Sequence, residues 1–263
     1  MIVSTTPSTA SAAPAQAAAL VSVIVPFYNA IATLDAALDS LVAQDFSDWE
    51  AVLVDDASDD GSFALATSRA TADPRFCVMQ TGRRSGVAAA RNMGIAAAKG
   101  RYIALLDADD IWLPGKLAAQ VPVLLSGAPL VFSAYARMTS TGRVLRNVPV
   151  PAVVRYDDLL NGNPLGCLTA VWDSAYFGKV AFPSLSMHED YALWLQLLRG
   201  GEQAVGVQQV LALYRVQSAS HSAQKWRAAR ATWSIMRNEP GVGLGRTVYG
   251  FACYAISAIL RRL

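Results

Sequence analysis

Apolar residues follow two rhythms along the first half of the chain, and the rhythms alternate. VSVIVP at 21–26 is a short β-branched run ended by Pro26, the pattern of a strand buried on both faces of a parallel sheet. Residues 30–43 follow with Ile31, Leu34, Leu38, Leu41 and Val42 at helical spacing. WEAVLVDD at 49–56 repeats the strand run, and 61–72 reads as a second helix. RFCVMQ at 75–80 gives a third strand, 86–99 a third helix closed by Gly100, and RYIALLD at 101–107 a fourth strand. Alternation of this kind through about residue 125 predicts βαβ units and a mostly parallel central sheet flanked by helices, with ligands bound at the C-terminal strand ends.

Beyond that point the alternation loosens. Residues 129–137 and 143–148 predict strands joined through Ser140, Thr141 and Gly142 as a hairpin. A clear helix follows at 189–199, and 204–216 returns to strand. There is no internal repeat. Residues 1–20, rich in Ala, Ser, Thr and Pro with no Lys or Arg, lack the charged start and apolar core of a signal peptide and read as a disordered leader. One α/β domain is expected at 21–221, with a ligand-binding half at 21–125 and an elaborated half at 126–221, before a helical appendage at 222–263.

Composition narrows the class. Hydrophobic residues make up 53% of the 263 and charged residues 16%, ample for a large core. A formal charge of +2 gives no concentrated basic surface and argues against nucleic acid as a partner. Cys77, Cys167 and Cys253 are far apart and in no metal-binding spacing, as for reduced thiols in the cytosol. Toward the C-terminus, Arg227, Arg230 and Arg237 alternate with Trp226, Trp233, Ile235 and Met236, and an apolar stretch at 248–260 has arginines on both sides. That stretch falls short of the ~20 apolar residues that span a bilayer. It is either a helix lying at a membrane surface, with Arg and Trp at headgroup level, or a helix packed on the main domain.

Candidate chemistry clusters at strand ends. LLDADD at 105–110 places Asp107, Asp109 and Asp110 where the chain leaves the sheet. Hard oxygen ligands there suit Mg or Mn shared with phosphates; the alternative is an acidic turn in which Asp110 caps a helix. Asp55 and Asp56 close the second strand, and a carboxylate there can accept from a base imide or a ribose hydroxyl. Asp59, Asp60 and Ser62 belong to a turn and helix cap, leaving Asp56 as the functional candidate. In PFYN at 26–29, Tyr28 can stack on a base and Asn29 can bond it, or Asn29 simply caps a helix. HEDYALWLQLL at 188–198 sets Glu189 and Asp190 at the start of a helix anchored by Leu193, Trp194, Leu197 and Leu198. They serve the helix macrodipole or provide a positioned general base, and His188 either tunes the pair or is a surface residue.

PFYN, VDDASDDGS at 54–62, GVAAARNMGIAAAKGRYIALLDADDIWLPGKL at 86–117 and HEDYALWLQL, in this order and spacing, resemble the family 2 inverting glycosyltransferases of bacterial polysaccharide assembly, across roughly residues 21–216. The resemblance implies a single GT-A-like, Rossmann-type α/β domain plus C-terminal helices. It implies a nucleotide-sugar pocket of Pro26, Tyr28, Asn29, Asp56, Arg91 and Asp107, in which Asp56 contacts the nucleobase, Asp107 the ribose or metal shell, and Arg91 orders the pocket. Asp109 would hold a divalent Mg or Mn ion with the diphosphate, and Asp190 would be the base. The family tends to carry a His soon after a YR pair; in YRVQSASHS at 214–222 Gln217 stands at that place and His221, four residues later, is the candidate. The implied partners are a nucleotide diphosphate sugar donor and a glycan or lipid-linked glycan acceptor. The expected location is cytoplasmic, peripheral at the inner face of the cell membrane if the C-terminal helices touch the membrane surface and free of it if they pack on the domain. Two other readings are a sugar nucleotidylyltransferase, against which PFYN lacks a Gly-rich phosphate loop, and a non-catalytic nucleotide- or glycan-binding module, against which Asp109 and Asp190 are both retained. The absence of GxGxxG argues against a dinucleotide oxidoreductase.

Overall fold

The computed structural model of the protein describes residues 19–216 and 222–260, so nearly all of the leader and His221 lie outside the described residues. The first half follows the expected alternation: β1 (Val21–Phe27), α1 (Leu34–Val42), β2 (Trp49–Asp55), α2 (Ser62–Ala72), β3 (Phe76–Gln80), α3 (Val87–Ala97) and β4 (Tyr102–Leu105). The second half runs β5 (Ile111–Trp112), α4 (Lys116–Leu125), β6 (Leu130–Met138), β7 (Val144–Val148), β8 (Val153–Arg155) and α5 (Tyr156–Leu159). After a 3₁₀ turn at Cys167–Thr169 come β9 (Val171–Asp173), α6 (Ser174–Phe177), α7 (Glu189–Leu198), β10 (Gln203–Arg215), α8 (Ser222–Asn238) and α9 (Leu244–Leu260).

The described strands form one mixed sheet in the order β3-β2-β1-β4-β9-β6-β10-β5, with β7 beside β6 and β8 beside β10. Pairing is parallel from β3 through β4, with Val23 opposite both Ala51 and Ala104, and again between β6 and β10. The three residues of β9 enter antiparallel between β4 and β6 and join the two parallel parts. The hairpin of β6 and β7 closes through Gly142, whose φ of 85° and bond from its N–H to Thr139 O define the turn.

Successive residues of β1 serve opposite faces, as the pleat requires. Ile24 joins Val52, Val54, Trp172 and Trp194 under α3 and α7, whereas Val21, Val23 and Val25 join Leu34, Leu38, Trp112 and Leu117 under α1 and α4. Each such large side chain contributes about 1.5–3 kcal/mol on burial.

Local differences from the sequence pattern have physical causes. α1 begins only at Leu34, so Ile31 and Val42 are exposed at its margins. The N-cap position is Thr33, and Asn29 does not cap the helix. α3 ends at Ala97, with Ala98 extended, and Gly100 is not its terminator. A Cβ at Gly100 would lie 2.7 Å from the Ser22 nitrogen, so glycine there lets the chain cross against β1. Asp110 caps no helix because the chain enters β5 immediately after it.

The C-terminal helices pack on the domain. Met236 of α8 is buried with the α7 face of the core, and Trp233 meets Phe251 of α9 edge-on at 5.3 Å. Glu239 is buried and accepts from Arg199 and Tyr156, while Arg246 donates to Asn161 and to the Asp157 carbonyl. A Cβ at Gly250 would come within 2.0 Å of the Leu160 carbonyl oxygen, so α9 seats directly on the backbone that follows α5.

Candidate active site

The ends of β1 and β2 shape the first cavity, of about 210 Å³, lined by Pro26, Tyr28, Asp56, Arg84, Gly86 and Val87. Asp56 is buried, and its carboxylate holds the loop at 81–86: Oδ1 accepts from the Ser85 N–H at 2.8 Å and the Thr81 hydroxyl at 3.0 Å, and Oδ2 from the Gly86 N–H at 2.8 Å. An ionised carboxylate offers about four acceptor positions, so one is left for a ligand. Tyr28 is half-exposed at the rim and carries the Arg84 guanidinium over its ring at 4.2 Å. Asn29 does not line this cavity; its side chain forms a reciprocal pair with Asp59, and its φ of 47° fits a tight turn. Asp55 is likewise absorbed by the turn, accepting from Ser58 and Gln80.

Arg91 occupies the centre of the site. α3 is pressed onto β1, since a Cβ at Gly94 would lie 2.5 Å from Ile24 Cγ2, and this close seat carries Arg91 into the space between the two halves of the domain. Its Nη2 donates to Asp107 Oδ1 and its Nη1 to Glu189 Oε1, each at 2.7 Å. Burial opposes the guanidinium charge, but Asp107 and Glu189 outweigh it and raise the pKa above the ordinary arginine value.

The acidic turn after β4 is clamped from the far strand. Arg215, at the end of β10, donates its backbone N–H to Asp110 Oδ1, Nε to the Asp109 carbonyl at 2.6 Å, and Nη1 to the Ser140 carbonyl at 2.7 Å. Burial and the neighbouring Asp107 push the Asp110 pKa up to about 8, against the pull of the Arg215 N–H. Among the described residues no three His, Cys, Asp or Glu side chains converge as a metal cluster. Asp109 and the Asp107 oxygen not engaged by Arg91 are nonetheless hard donors on one turn. That donor set fits Mg or Mn, which keep one or two carboxylates and complete their shell with substrate phosphates and water.

A second cavity, of about 370 Å³, adjoins this turn and is lined among others by Arg91, Asp107, Tyr135, Arg137, Glu189 and Asp190. Glu189 and Asp190 open α7, whose Leu193, Trp194 and Leu197 lock it into the core. The division of labour between them follows from their contacts. Glu189 is committed to Arg91, while among the described residues Asp190 is bonded only to the next backbone N–H, that of Tyr191, at 2.7 Å. Burial, and then repulsion from Glu189, raises the Asp190 pKa against the pull of that N–H, Arg91 and His188.

Pro26, Tyr28 and Asp56 therefore meet at the first cavity, and Arg91, Asp107 and Asp190 at the second, while Asn29 stands apart. Sequence reasoning missed Arg84, Tyr135, Arg137, Tyr214 and the Arg215 clamp. The Arg83-Arg84 pair just before Gly86 is a signal for the first of these; the others sit in strands whose alternation predicts only burial.

A family model described as glycosyl transferase family 2 matches residues 22–161. The chain is 35% identical over 246 residues to TuaG of Bacillus subtilis (strain 168), a glycosyltransferase assigned to teichuronic acid biosynthesis, covering 93% of this chain and 98% of that protein. It is 30% identical over 231 residues to the Escherichia coli UDP-Glc:alpha-D-GlcNAc-diphosphoundecaprenol beta-1,3-glucosyltransferase WfgD, covering 88% and 90% respectively. Among solved structures, S. aureus TarS 1-349 in complex with UDP-GlcNAc matches with a TM-score of 0.68 at 18% identity, covering 89% of this chain and 71% of that one. The mannosyltransferase PcManGT of Pyrobaculum calidifontis, in complex with GDP-Man and Mn2+, matches with a TM-score of 0.63 at 20% identity, covering 93% and 79%. At these identities the structural likeness is one of fold.

Proposed function

The chain belongs to glycosyl transferase family 2, and from that membership we propose that it is an inverting enzyme of cell-surface polysaccharide assembly, moving a sugar from a nucleotide diphosphate donor to a lipid-linked glycan. The observation that carries this reading is the pair of cavities at the strand ends, one with Asp56 at its wall and the other lined by Arg91, Asp107 and Asp190. WfgD by its name uses UDP-Glc and a diphosphoundecaprenol-linked acceptor, and the TarS complex holds UDP-GlcNAc, which favours a UDP-sugar here.

In this reading the nucleobase enters between Tyr28 and Val87 and bonds the remaining acceptor position of Asp56. Asp107 and Asp109 hold a divalent cation, which when bound neutralises charge on the departing diphosphate; the Mn2+ in the PcManGT complex favours such an ion. Asp190 takes the proton of the acceptor hydroxyl. The hydroxyl oxygen forms its bond to the anomeric carbon from the face opposite the diphosphate, and the electron pair of the breaking C–O bond leaves on the phosphate oxygen. Configuration at that carbon inverts. Arg91 keeps Glu189 from competing for the acceptor hydroxyl by engaging its carboxylate.

The outer surface of α8 and α9 supports a peripheral contact with an anionic membrane. Trp226, Arg227, Arg230 and Arg237 are exposed on α8, and Leu244, Val248, Tyr249 and Ile256 on α9. Among the described residues no helix is long and apolar enough to cross a membrane. Calorimetry with UDP and GDP, with and without Mn, followed by a donor-hydrolysis screen over nucleotide sugars, tests the proposal. Metal-enhanced binding of one nucleotide is expected, and no binding of any nucleotide would overturn it.

A further inference from the structure

His188 stands in the wall between the Asp190 cavity and a third cavity, of about 190 Å³, where α7 meets the C-terminal helices. The third cavity is lined by His188 together with Asn163, Tyr191, Thr232, Met236 and Tyr254. His188 has left-handed backbone angles, φ 59° and ψ 31°, which non-glycine residues adopt sparingly and keep where surrounding structure over-determines them. Its carbonyl accepts from the Ala192 N–H, so the strained residue is tied into the first turn of α7. Its Nε2 is buried without a hydrogen-bond partner. A buried nitrogen left in that state is costly unless a ligand or water completes it.

The chemistry of the walls narrows what would complete it. The Tyr191 hydroxyl is spent on the Leu159 carbonyl, which leaves the ring as an apolar wall beside Met236 and Tyr254. Asn163 Oδ1 accepts from the Leu165 N–H, leaving its amide nitrogen as a donor, and Thr232 adds a hydroxyl. Among the described residues no Lys, Arg, Asp or Glu lines the space, which disfavours a diphosphate, and the imidazole and amide disfavour a lipid chain. A neutral pyranose offers an apolar C–H face and a rim of hydroxyls, which matches both kinds of wall. The volume is that of roughly six waters, the size class of one sugar ring.

We propose that this cavity is a second acceptor subsite, taking an uncharged sugar ring next to the one that reacts at Asp190, with His188 as the positioning residue that bonds a hydroxyl of that ring. The acceptor is then a glycan of at least two sugars, and α8 shares in choosing it through Thr232 and Met236. This rests on the assignment of the Asp190 cavity to the acceptor.

The test is calorimetry on the full chain held with UDP, using methyl glycosides of hexoses and N-acetylhexosamines and the disaccharides built from them. At least one disaccharide is expected to bind tenfold or more tighter than either of its component glycosides. His188→Asn, which tolerates the left-handed helix start but lacks the ring, and Thr232→Met, which fills the cavity, are each expected to abolish that preference with UDP affinity unchanged. A panel in which no disaccharide gains tenfold overturns the proposal, as does a preference that survives both variants. Failure of the wild-type chain to bind UDP at all is a separate result, and it counts against the transferase reading itself.

Discussion

Arg91 and Glu189 lie 98 positions apart in the chain, yet their side chains meet at 2.7 Å. With Asp107 on the other guanidinium nitrogen, this buried bridge ties the turn after β4 to the start of α7. All three residues line the second cavity.

Removal of the bridge is therefore expected to cost stability before chemistry. R91A leaves Glu189 unpaired in a largely buried place, a loss of about 3–5 kcal/mol in urea unfolding. R91K, a point charge that reaches one carboxylate at a time, is expected to fall between R91A and the wild type. An R91A midpoint equal to that of the wild type would show that the bridge carries no structural weight.

For Asp190 the prediction couples activity and stability. D190N is expected to lower kcat by about 10²–10⁴ while leaving nucleotide binding intact. Because its pKa is raised by burial, the acid limb of the wild-type kcat/KM profile should lie above the ordinary carboxylate range and vanish in the variant. The linkage has a definite sign. In the window between the unfolded and the raised folded pKa the native state keeps a proton that the unfolded chain has lost, so this group's contribution to stability falls as pH rises through the folded value. D190N should accordingly melt higher than the wild type above that window. A lower melting temperature with retained turnover would remove Asp190 from the role of base.

Asp56 is expected to act through the loop as well as through the ligand. D56A frees two amides and a hydroxyl at 81–86, bonds to a charged acceptor worth about 1.5–3 kcal/mol each. Nucleotide affinity should fall tenfold or more, with faster amide exchange confined to that loop. Unchanged exchange with weakened binding would mean that Asp56 touches the ligand only.

The exposed arginines of α8 make the proposed membrane contact testable apart from catalysis. R227E combined with R230E should abolish flotation with vesicles rich in phosphatidylglycerol, and should leave turnover of a water-soluble acceptor unchanged. Flotation that is insensitive to salt and to both substitutions would point away from an electrostatic contact.

The sequence alone determined the strands β1 to β4, the helices between them, the hairpin of β6 and β7 and the start of α7. These are legible because β-branched runs, helical spacing and turn residues are local properties, set by neighbours a few positions away. The same locality brought Asp56, Asp107 and Asp109 to strand ends. The tertiary structure decided the rest. β9 is three residues long, too short for any periodicity, and it joins the two parallel parts of the sheet by running antiparallel to both neighbours. Glycine at 100 reads as a helix stop but answers a crossing against Ser22, and Asp110 reads as a cap but answers Arg215, 105 positions away. Glu189 and Asp190 are adjacent and alike in the sequence. Only the arrival of Arg91 from α3 occupies the first and leaves the second facing the cavity, because pairing and burial depend on elements that meet only when the chain has folded.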